Sequence, residues 1–442
     1  MINELIEKIE SKDYKSIHEI LAKQYTVDLA DLLDELDVKN LAIVFRMLEK
    51  EQAAEVFSYM DNDSRQRLLE ILSSKELDVI LDLMFTDDAV DFLEDMPANV
   101  VTKLLETVDS KTRADINRLL QYPEDSVGSI MTTEFVELYP EMTVKEALDK
   151  IRTVGIDSET IYTCYVVERK KLLGIISAKD LITNPVDTLV KDLMIDNFIY
   201  VQVLDDQEYA AKLFRRYDFL ALPVLDPDKR IVGIVTFDDA IDVLVEETTE
   251  DMHKMAAMSS HSESYLKTTA FEHAKHRVFW LLLLMLSASI TGYIIAKYED
   301  AFMVLPLLVS FIPMLMDTGG NSGSQSSTLI IRGLAIDEID FTDIFKIVWK
   351  EFRVSLIVGF ILAVANGIRI LIFYKSPQFA IVVSISLAAT VIISKLVGSV
   401  LPLLATKLKL DPAIMAAPLI TTVVDTCSII IYFKIATLVF AL

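Results

Sequence analysis

The stretch P-L-I-T-T-V-V-D-T, Pro418 to Thr426, places one carboxylate, Asp425, within the last long apolar segment of this 442-residue chain. An ionised carboxylate at bilayer depth costs roughly 3 kcal/mol or more unless water, a partner charge or a bound ion compensates it. Thr421 lies four residues before Asp425, so the two side chains share one face of a helix. The stretch therefore predicts a membrane segment with an oxygen-lined face and favours an ion pathway.

Five segments in the last part of the chain are long and apolar enough to cross about 30 Å of hydrocarbon. They predict a five-helix transmembrane domain, residues 278–442, with segments at 278–296, 301–331, 347–374, 379–405 and 411–441. The segment ends on one side carry most of the basic residues: Lys275, Arg277, Arg332, Lys346, Lys350, Arg353, Lys407 and Lys409. The positive-inside rule then predicts a multi-pass plasma-membrane protein with a cytoplasmic N-terminus and an extracytoplasmic C-terminus.

The second of these segments contains the run D-T-G-G-N-S-G-S-Q-S-S-T, Asp317–Thr328. A run this polar and glycine-rich predicts either irregular backbone along a water-filled cavity or close packing of helices through small residues. A second polar segment, the one that carries Asp425, favours a cation path. One carboxylate with hydroxyls and carbonyls suits hydrated Mg²⁺ better than Ca²⁺, which takes about six to eight oxygen ligands. K⁺ and Na⁺ remain open on this argument.

The formal charge of -24 is concentrated before the membrane segments, where residues 1–277 hold 56 of the 66 acidic residues. Such a charge argues against nucleic acid as a partner and suits cations, although acidic surfaces also serve solubility. Residues 1–123 predict an all-α superhelical domain, because similar amphipathic units recur at 28–36, 51–60 and 88–96.

A clearer repeat occupies residues 124–246. V-G-S-I-M (127–131) matches V-K-D-L-M (190–194), and G-I-I-S-A-K-D (174–180) matches G-I-V-T-F-D-D (233–239). The two offsets, 63 and 59 residues, predict a small insertion near residues 157–163. Each half has the pattern strand, helix, strand, strand, helix, which resembles a tandem pair of α/β CBS domains at 124–186 and 187–246.

The CBS resemblance implies contacts to an adenine nucleotide from Ser177, Asp180, Thr236 and Asp239. The alternative is structural, with Ser177 and Thr236 capping the helices that follow them. Residues 238–277, which lack Pro and Gly, begin acidic and end basic. They predict a helix that joins the CBS pair to the membrane, with residues 247–277 as the linker. It either transmits motion or serves as a plain connection.

The complete order resembles the MgtE family of magnesium channels: an acidic helical domain, a CBS pair, a linker ("plug") helix and five membrane helices. G-G-N-S-G-S-Q-S-S-T and P-L-I-T-T-V-V-D are similar to the pore signatures of that family. The resemblance implies a homodimer embedded in lipid that transports Mg²⁺ and is not an enzyme. It also implies pore contacts to Mg²⁺ from Asp425, Gly320, Ser324, Thr328, Ala417 and Thr421.

The same resemblance implies gating by cytosolic Mg²⁺ and leaves ATP as a regulatory ligand. The implied sensing residues are Asp88, Asp91, Asp95, Asp239, Asp242, Glu250, Asp251 and Asp411. Two other hypotheses stay open at this point. One is a cation-coupled secondary transporter of divalent metals, with Lys395 and Asp425 as a protonatable pair. The other is a membrane-tethered nucleotide sensor, against which the intramembrane Asp425 counts.

Overall fold

The computed structural model describes residues 2–94, 96–106, 108–259, 265–266, 268–298, 305–415 and 417–440. The chain forms two compact units, Met1–Leu244 and Val245–Leu442. The first unit holds the helical domain and the CBS pair, and the second holds the membrane helices.

Ten short helices make up the N-terminal part, as the repeated amphipathic units predict. They are α1 (Ile2–Glu10), α2 (Tyr14–Leu21), α3 (Thr26–Asp34), α4 (Val38–Phe45), α5 (Lys50–Tyr59), α6 (Asn62–Leu69), α7 (Ser74–Leu83), α8 (Thr86–Glu94), α9 (Ala98–Leu105) and α10 (Ser110–Leu119). Leu29, Phe57 and Phe92 lie in their common core. Some of the acids in this part cap helices, since Asp37 and Asp61 each accept a hydrogen bond from the backbone N–H three residues on.

The CBS pair consists of two three-stranded sheets with the same topology, which confirms the predicted repeat. Its elements are β1 (Phe135–Leu138), α11 (Val144–Val154), β2 (Thr160–Glu168), β3 (Lys171–Ser177), α12 (Ala178–Thr183), α13 (Val190–Leu193), β4 (Val201–Gln202), α14 (Gln207–Tyr217), β5 (Ala221–Leu225) and β6 (Ile231–Thr236). In each sheet the first two strands are parallel and the last two antiparallel. The strand β2 has nine residues and its counterpart β5 has five, so the insertion falls where the repeat offsets place it.

The connecting segment is not one helix, and the prediction of a continuous helix over 238–277 is wrong. Helix α15 (Phe237–Met255) ends before Ala257, whose φ of 51° does not fit a right-handed helix. Helix α16 (Ala270–Ala296) starts anew at a capping box formed by Thr269 and Glu272. The junction contains no Pro or Gly, but the polar run S-S-H-S-E-S at 259–264 is typical of a loop and marks the break in the sequence.

Four further helices complete the membrane part: α17 (Ile312–Ala335), α18 (Ile344–Tyr374), α19 (Pro377–Lys407) and α20 (Ala417–Phe440). Short 3-10 turns at Pro306–Phe311, Phe341–Asp343 and Pro412–Met415 precede α17, α18 and α20. Among the described residues, four stretches are long and apolar enough to span a membrane: Ala270–Ala296, Phe341–Tyr374, Pro377–Lys407 and Pro412–Phe440. The remaining helix, α17, has 24 residues and contains the polar glycine-rich run.

Candidate ion pathway and acidic cluster

The glycine-rich run Asp317–Thr328 is regular helix throughout, within α17. The expectation of irregular backbone there is wrong, and the alternative of packing through small residues holds. Pro306 and Pro313 do not interrupt the helical run, because each lies in the first turn of its helix, where a missing N–H is tolerated. The backbone polar groups of the run are therefore satisfied within the helix.

One face of α17 is pressed between α19 and α20. A Cβ atom on Gly320 would lie 2.8 Å from Thr421 Cγ2, and one on Gly323 would lie 2.7 Å from Ile420 Cγ2. On the α19 side, a Cβ atom on Gly398 would overlap the carbonyl oxygen of Gly323. These glycines allow the backbones of the three helices to approach closely.

We expect Gly398→Ala to destabilise the membrane part by about 1–3 kcal/mol, because the new methyl group must displace α17 or α19. Thermal unfolding in detergent micelles measures the change. Gly292→Ala is the matched control, since a Cβ atom at Gly292 meets nothing within 4 Å. Equal melting temperatures for the two variants would contradict this account of the packing.

The opposite face of α17 carries a polar stripe, defined as Asp317, Asn321, Ser324, Gln325 and Thr328. Spacings of three and four residues place these side chains along one side of the helix. All are exposed in the single chain except Ser324, which is half-buried. A polar stripe at membrane depth requires water or another protein surface, because lipid satisfies none of its hydrogen bonds.

Asp425 lies half-buried on α20, one turn after Thr421. The hydroxyls of Thr421 and Thr422 donate to the carbonyl of Pro418 at 2.9 and 3.2 Å, which leaves their oxygen lone pairs for a cation. Asp317 lies within electrostatic range of Asp425. Two helices thus bring carboxylates and hydroxyls to one region.

The structure brings together some of the predicted pore residues. Gly320 and Thr421 meet directly where α17 packs on α20. Ser324 and Thr328 belong to the polar stripe, and Ala417 is the first residue of α20. The sequence analysis did not single out Asn321 and Gln325, although helical spacing from Asp317 within the quoted run identifies them.

Lys395, which the secondary-transporter hypothesis pairs with Asp425, has other partners. Its ammonium group donates to Ser326 Oγ at 3.4 Å. The Ser326 hydroxyl in turn donates to Glu351 Oε2 at 2.6 Å.

In the first unit, five carboxylates from three distant parts of the sequence form what we call the acidic cluster. Its members are Asp87 and Asp88 at the start of α8, Glu159 just before β2, and Asp238 and Asp239 at the start of α15. Burial, followed by repulsion from Asp239 and Asp238, raises the pKa of Glu159 to about 8. Burial is also the main reason that the pKa of Asp239 rises to about 6 and that of Asp87 lies well above its usual value.

The strongest charge interactions of Glu159 and Asp87 are with other carboxylates. Oε2 of Glu159 is buried and has no hydrogen-bond partner among the described residues. Arg65 is the basic side chain that offsets Asp88. In the described part of the chain, no three His, Cys, Asp or Glu side chains are close enough to form a ready-made metal site. The cluster is therefore a wide, repulsive group of carboxylates to which a divalent cation would add the missing positive charge.

Asp88 and Asp239 were predicted from the sequence, whereas Asp87, Glu159 and Asp238 were not predicted as sites. Glu159 lies in the small insertion that the repeat offsets reveal, which is a signal that sequence reasoning did not use. The other predicted acids of this unit, Asp91 and Asp242, are exposed on α8 and α15. Asp95 lies outside the described residues.

The predicted acids of the second unit surround a lysine. Lys254, near the end of α15, binds Glu250 and Asp411, each at 2.6 Å. The next residue, Met255, packs against Ile331 of α17 and Ala413. The end of α15 therefore lies beside the end of α17 and the turn that precedes α20, the two helices that carry candidate pore residues. Asp251 lies on the same helix.

The raised pKa values predict that stability falls as the pH rises. Between the ordinary pKa of a glutamate near 4.5 and about 8, Glu159 binds a proton in the folded state that it lacks in the unfolded state. Its stabilising protonation is present at low pH and lost as the pH rises through 8. In Mg²⁺-free buffer, we expect the melting temperature of the first unit to fall from pH 6 to pH 8.5, by about 2–4 °C per kcal/mol lost.

Glu159→Gln should remove most of this pH dependence in thermal unfolding. The matched control is Glu168→Gln, which removes an exposed acid from the far end of the same strand, β2. If the melting temperatures of both variants depended on pH as steeply as that of the wild-type protein, the burial of Glu159 in an acidic cluster would be refuted.

Of the predicted nucleotide residues, Ser177 caps a helix, as the structural alternative states. Ser177 Oγ donates to Asp180 Oδ2 at 2.6 Å and accepts from the Asp180 backbone N–H at 3.1 Å. Thr236 Oγ1 likewise donates to Asp239 Oδ2 at 2.5 Å. Because Asp239 also belongs to the acidic cluster, Ser177 and Asp180 are the better candidates for nucleotide contacts.

Comparison with known proteins bears on the whole chain. A family model described as "Divalent cation transporter" (MgtE) matches residues 312–435, which include the glycine-rich run and Asp425. The MgtE intracellular N domain matches residues 24–125, and CBS domains match 127–187 and 190–246. The magnesium transporter MgtE of Thermus thermophilus is 36% identical over 98% of this chain and 97% of its own. The chain belongs to the MgtE family.

Other MgtE proteins are similarly related. The magnesium transporter MgtE of Bacillus subtilis is 36% identical and covers 93% of both chains. Two solved structures match slightly more than half of this chain. The soluble part of a magnesium transporter is 34% identical, with a TM-score of 0.53, over 56% of this chain and 97% of its own. The cytosolic domain of the Mg²⁺ channel MgtE in complex with ATP is 37% identical, with a TM-score of 0.52, over 55% and 100%.

Proposed function

We propose that this protein is a Mg²⁺ channel that mediates Mg²⁺ uptake across the plasma membrane. The observation that carries the proposal is the half-buried Asp425, one turn from Thr421, on a helix that packs against the polar-striped α17. A carboxylate at membrane depth needs a compensating charge, and a permeating cation supplies it. The names of the full-length MgtE relatives support Mg²⁺ as that cation.

The working channel is a homodimer with its pore on the two-fold axis. A single chain leaves the polar stripe of α17 exposed at membrane depth. In a dimer, the polar stripes of the two copies would face each other across a water-filled pore. The second copy would also bring a second Asp425 to the path. The N-terminus lies in the cytoplasm and the C-terminus outside, because basic residues crowd the segment ends on the N-terminal side.

Mg²⁺ enters this path with most of its water shell. Mg²⁺ sheds water reluctantly and is usually held through one or two carboxylates, with several waters retained. The two Asp425 carboxylates of a dimer would attract the ion, and the threonine hydroxyls and the backbone carbonyls near Gly320 and Ala417 would accept hydrogen bonds from its waters. Lys395 engages Ser326 instead of Asp425, so the secondary-transporter alternative loses its protonatable pair.

Cytosolic Mg²⁺ gates the channel through the acid-rich regions. The acidic cluster holds unbalanced, partly buried carboxylates, which a divalent ion would neutralise. Glu250 and Asp411 both form salt bridges with Lys254, beside the helices that carry the pore residues. A shift from mostly open to mostly closed needs about 5.5 kcal/mol of differential binding, and one tenfold preference supplies about 1.4. Several Mg²⁺ ions acting together provide such a difference.

ATP is a regulatory ligand of the CBS pair in this proposal, supported by the ATP-bound cytosolic domain of a related MgtE. We expect Asp180→Asn to lower the affinity for ATP at least tenfold, because the CBS resemblance directs its carboxylate toward the ribose hydroxyls. Calorimetric titration of the detergent-solubilised protein measures this affinity. Asp192→Asn, in the short helix α13, is the control. Absence of ATP binding to the wild-type protein would refute the nucleotide role.

Flux assays on the purified protein in liposomes test the proposed function. We expect Mg²⁺ flux that continues without a pH gradient and that exceeds the flux of Mn²⁺ and Co²⁺ at equal concentration. Flux that requires a proton gradient would instead indicate the coupled transporter.

A further inference from the structure

A buried lysine has no part in the pathway described above. Lys395 lies on α19 and is only 5% exposed, within a stretch apolar enough to span the membrane. An ammonium group at this depth is costly unless an opposite charge or hydrogen-bond acceptors compensate it. The lysine therefore requires a specific partner.

That partner is a carboxylate on another helix, reached through one hydroxyl. Ser326 of α17 is 1% exposed; it accepts from Lys395 Nζ at 3.4 Å and donates to Glu351 Oε2 of α18 at 2.6 Å. An ammonium only donates, an ionised carboxylate only accepts, and a hydroxyl does both. The direction of both hydrogen bonds is thus fixed, and the two opposite charges are joined across three helices.

The junction lies behind the polar stripe. Ser326 is two residues from both Ser324 and Thr328, so it projects from roughly the opposite side of α17. Gly323 and Gly398 meet on this buried side and hold α17 against α19. A helix is only about 10 Å across, and charges at such a distance still interact appreciably where water is scarce.

We propose that Lys395 and Glu351, joined through Ser326, are a charge-balanced pair of positioning residues that fixes α17 and keeps the cation path free of the field of an uncompensated buried charge. This inference rests on the proposed Mg²⁺ transport. A balanced pair adds little net field, whereas the loss of one partner leaves an uncompensated charge behind the stripe. The sign of that charge should then appear in the apparent affinity for Mg²⁺.

Currents through the full-length protein in liposomes test this sign. Glu351→Gln leaves an ammonium and should raise the half-saturating Mg²⁺ concentration about threefold or more. Lys395→Gln leaves a carboxylate and should lower that concentration by a similar factor. The double variant should return to within twofold of the wild-type value. Lys434→Gln is the matched control, because Lys434 is an exposed lysine on α20, and it should shift the value less than twofold.

Shifts of the two single variants in the same direction, or a double variant no closer to wild type than either, would overturn the proposal. If a single variant fails to reach the membrane, recovery of the double variant supports the pairing, and continued failure overturns it. Thermal unfolding of the four proteins in detergent gives the coupling between the two sites without any transport measurement. A wild-type protein that carried no Mg²⁺ current would refute the proposed function. The comparison of unfolding among the four proteins would still test whether Lys395 and Glu351 are coupled.

Discussion

Asp425→Asn is expected to reduce Mg²⁺ flux at least about a hundredfold while the protein still inserts into the membrane. The substitution keeps the size of the side chain and removes its charge. A full charge near a cation contributes about 4 kcal/mol at 4 Å when the effective dielectric constant is about 20, which corresponds to a factor of several hundred. Radioactive or fluorescent Mg²⁺ uptake into liposomes measures the loss.

Two controls separate the charge at this position from charge in general. Asp425→Glu keeps the carboxylate and should retain measurable flux. Asp317→Asn removes an exposed acid of the polar stripe within electrostatic range of Asp425, and its effect should stay below tenfold. If Asp425→Asn transported Mg²⁺ as well as wild type, the assignment of the pathway would be wrong.

Neutralising two acids of the acidic cluster is expected to weaken closure by cytosolic Mg²⁺. In the double variant Asp88→Asn with Asp239→Asn, the cluster loses charge that attracts a divalent ion. The Mg²⁺ concentration for half-maximal closure should then rise at least tenfold, which corresponds to about 1.4 kcal/mol of binding energy. Patch recordings with Mg²⁺ varied on the cytosolic face measure this midpoint.

The matched control removes the same number of charges from an exposed helix of the same unit. Asp28→Asn with Asp31→Asn on α3 should leave the midpoint within about twofold of wild type. An unchanged midpoint in the cluster variant, or an equal shift in the control, would contradict a sensing role for the acidic cluster.

Much of the architecture could be predicted because its signals are local. The CBS repeat shows itself through matching strand and turn residues, and the offset even located the insertion that contains Glu159. Apolar length predicts five membrane helices, and four stretches of the described residues meet that criterion; α17 does not, because it carries the polar glycine-rich run. The break after Met255 was missed, because no Pro or Gly marks it and the chain turns at Ala257 instead.

The sites were harder to predict because they depend on contacts between distant segments. The acidic cluster joins α8, the start of β2 and the start of α15. The spacing of these acids in the sequence does not predict that they come together. The glycine-rich run looked irregular by composition. Its glycines instead serve packing, because α19 and α20 approach so closely that a Cβ atom would clash at positions such as Gly320 and Gly323. The sequence shows Lys395 within an apolar segment, but its link to Glu351 depends on the packing of three helices.

The reversal potential of the current in liposomes tests the central claim most directly. With unequal Mg²⁺ concentrations across the membrane and equal pH on both sides, a Mg²⁺ channel must reverse at the Mg²⁺ equilibrium potential. We predict reversal at that potential for the wild-type protein and no such current for Asp425→Asn. A current that reverses elsewhere, that follows the proton gradient, or that persists unchanged in Asp425→Asn would contradict the account.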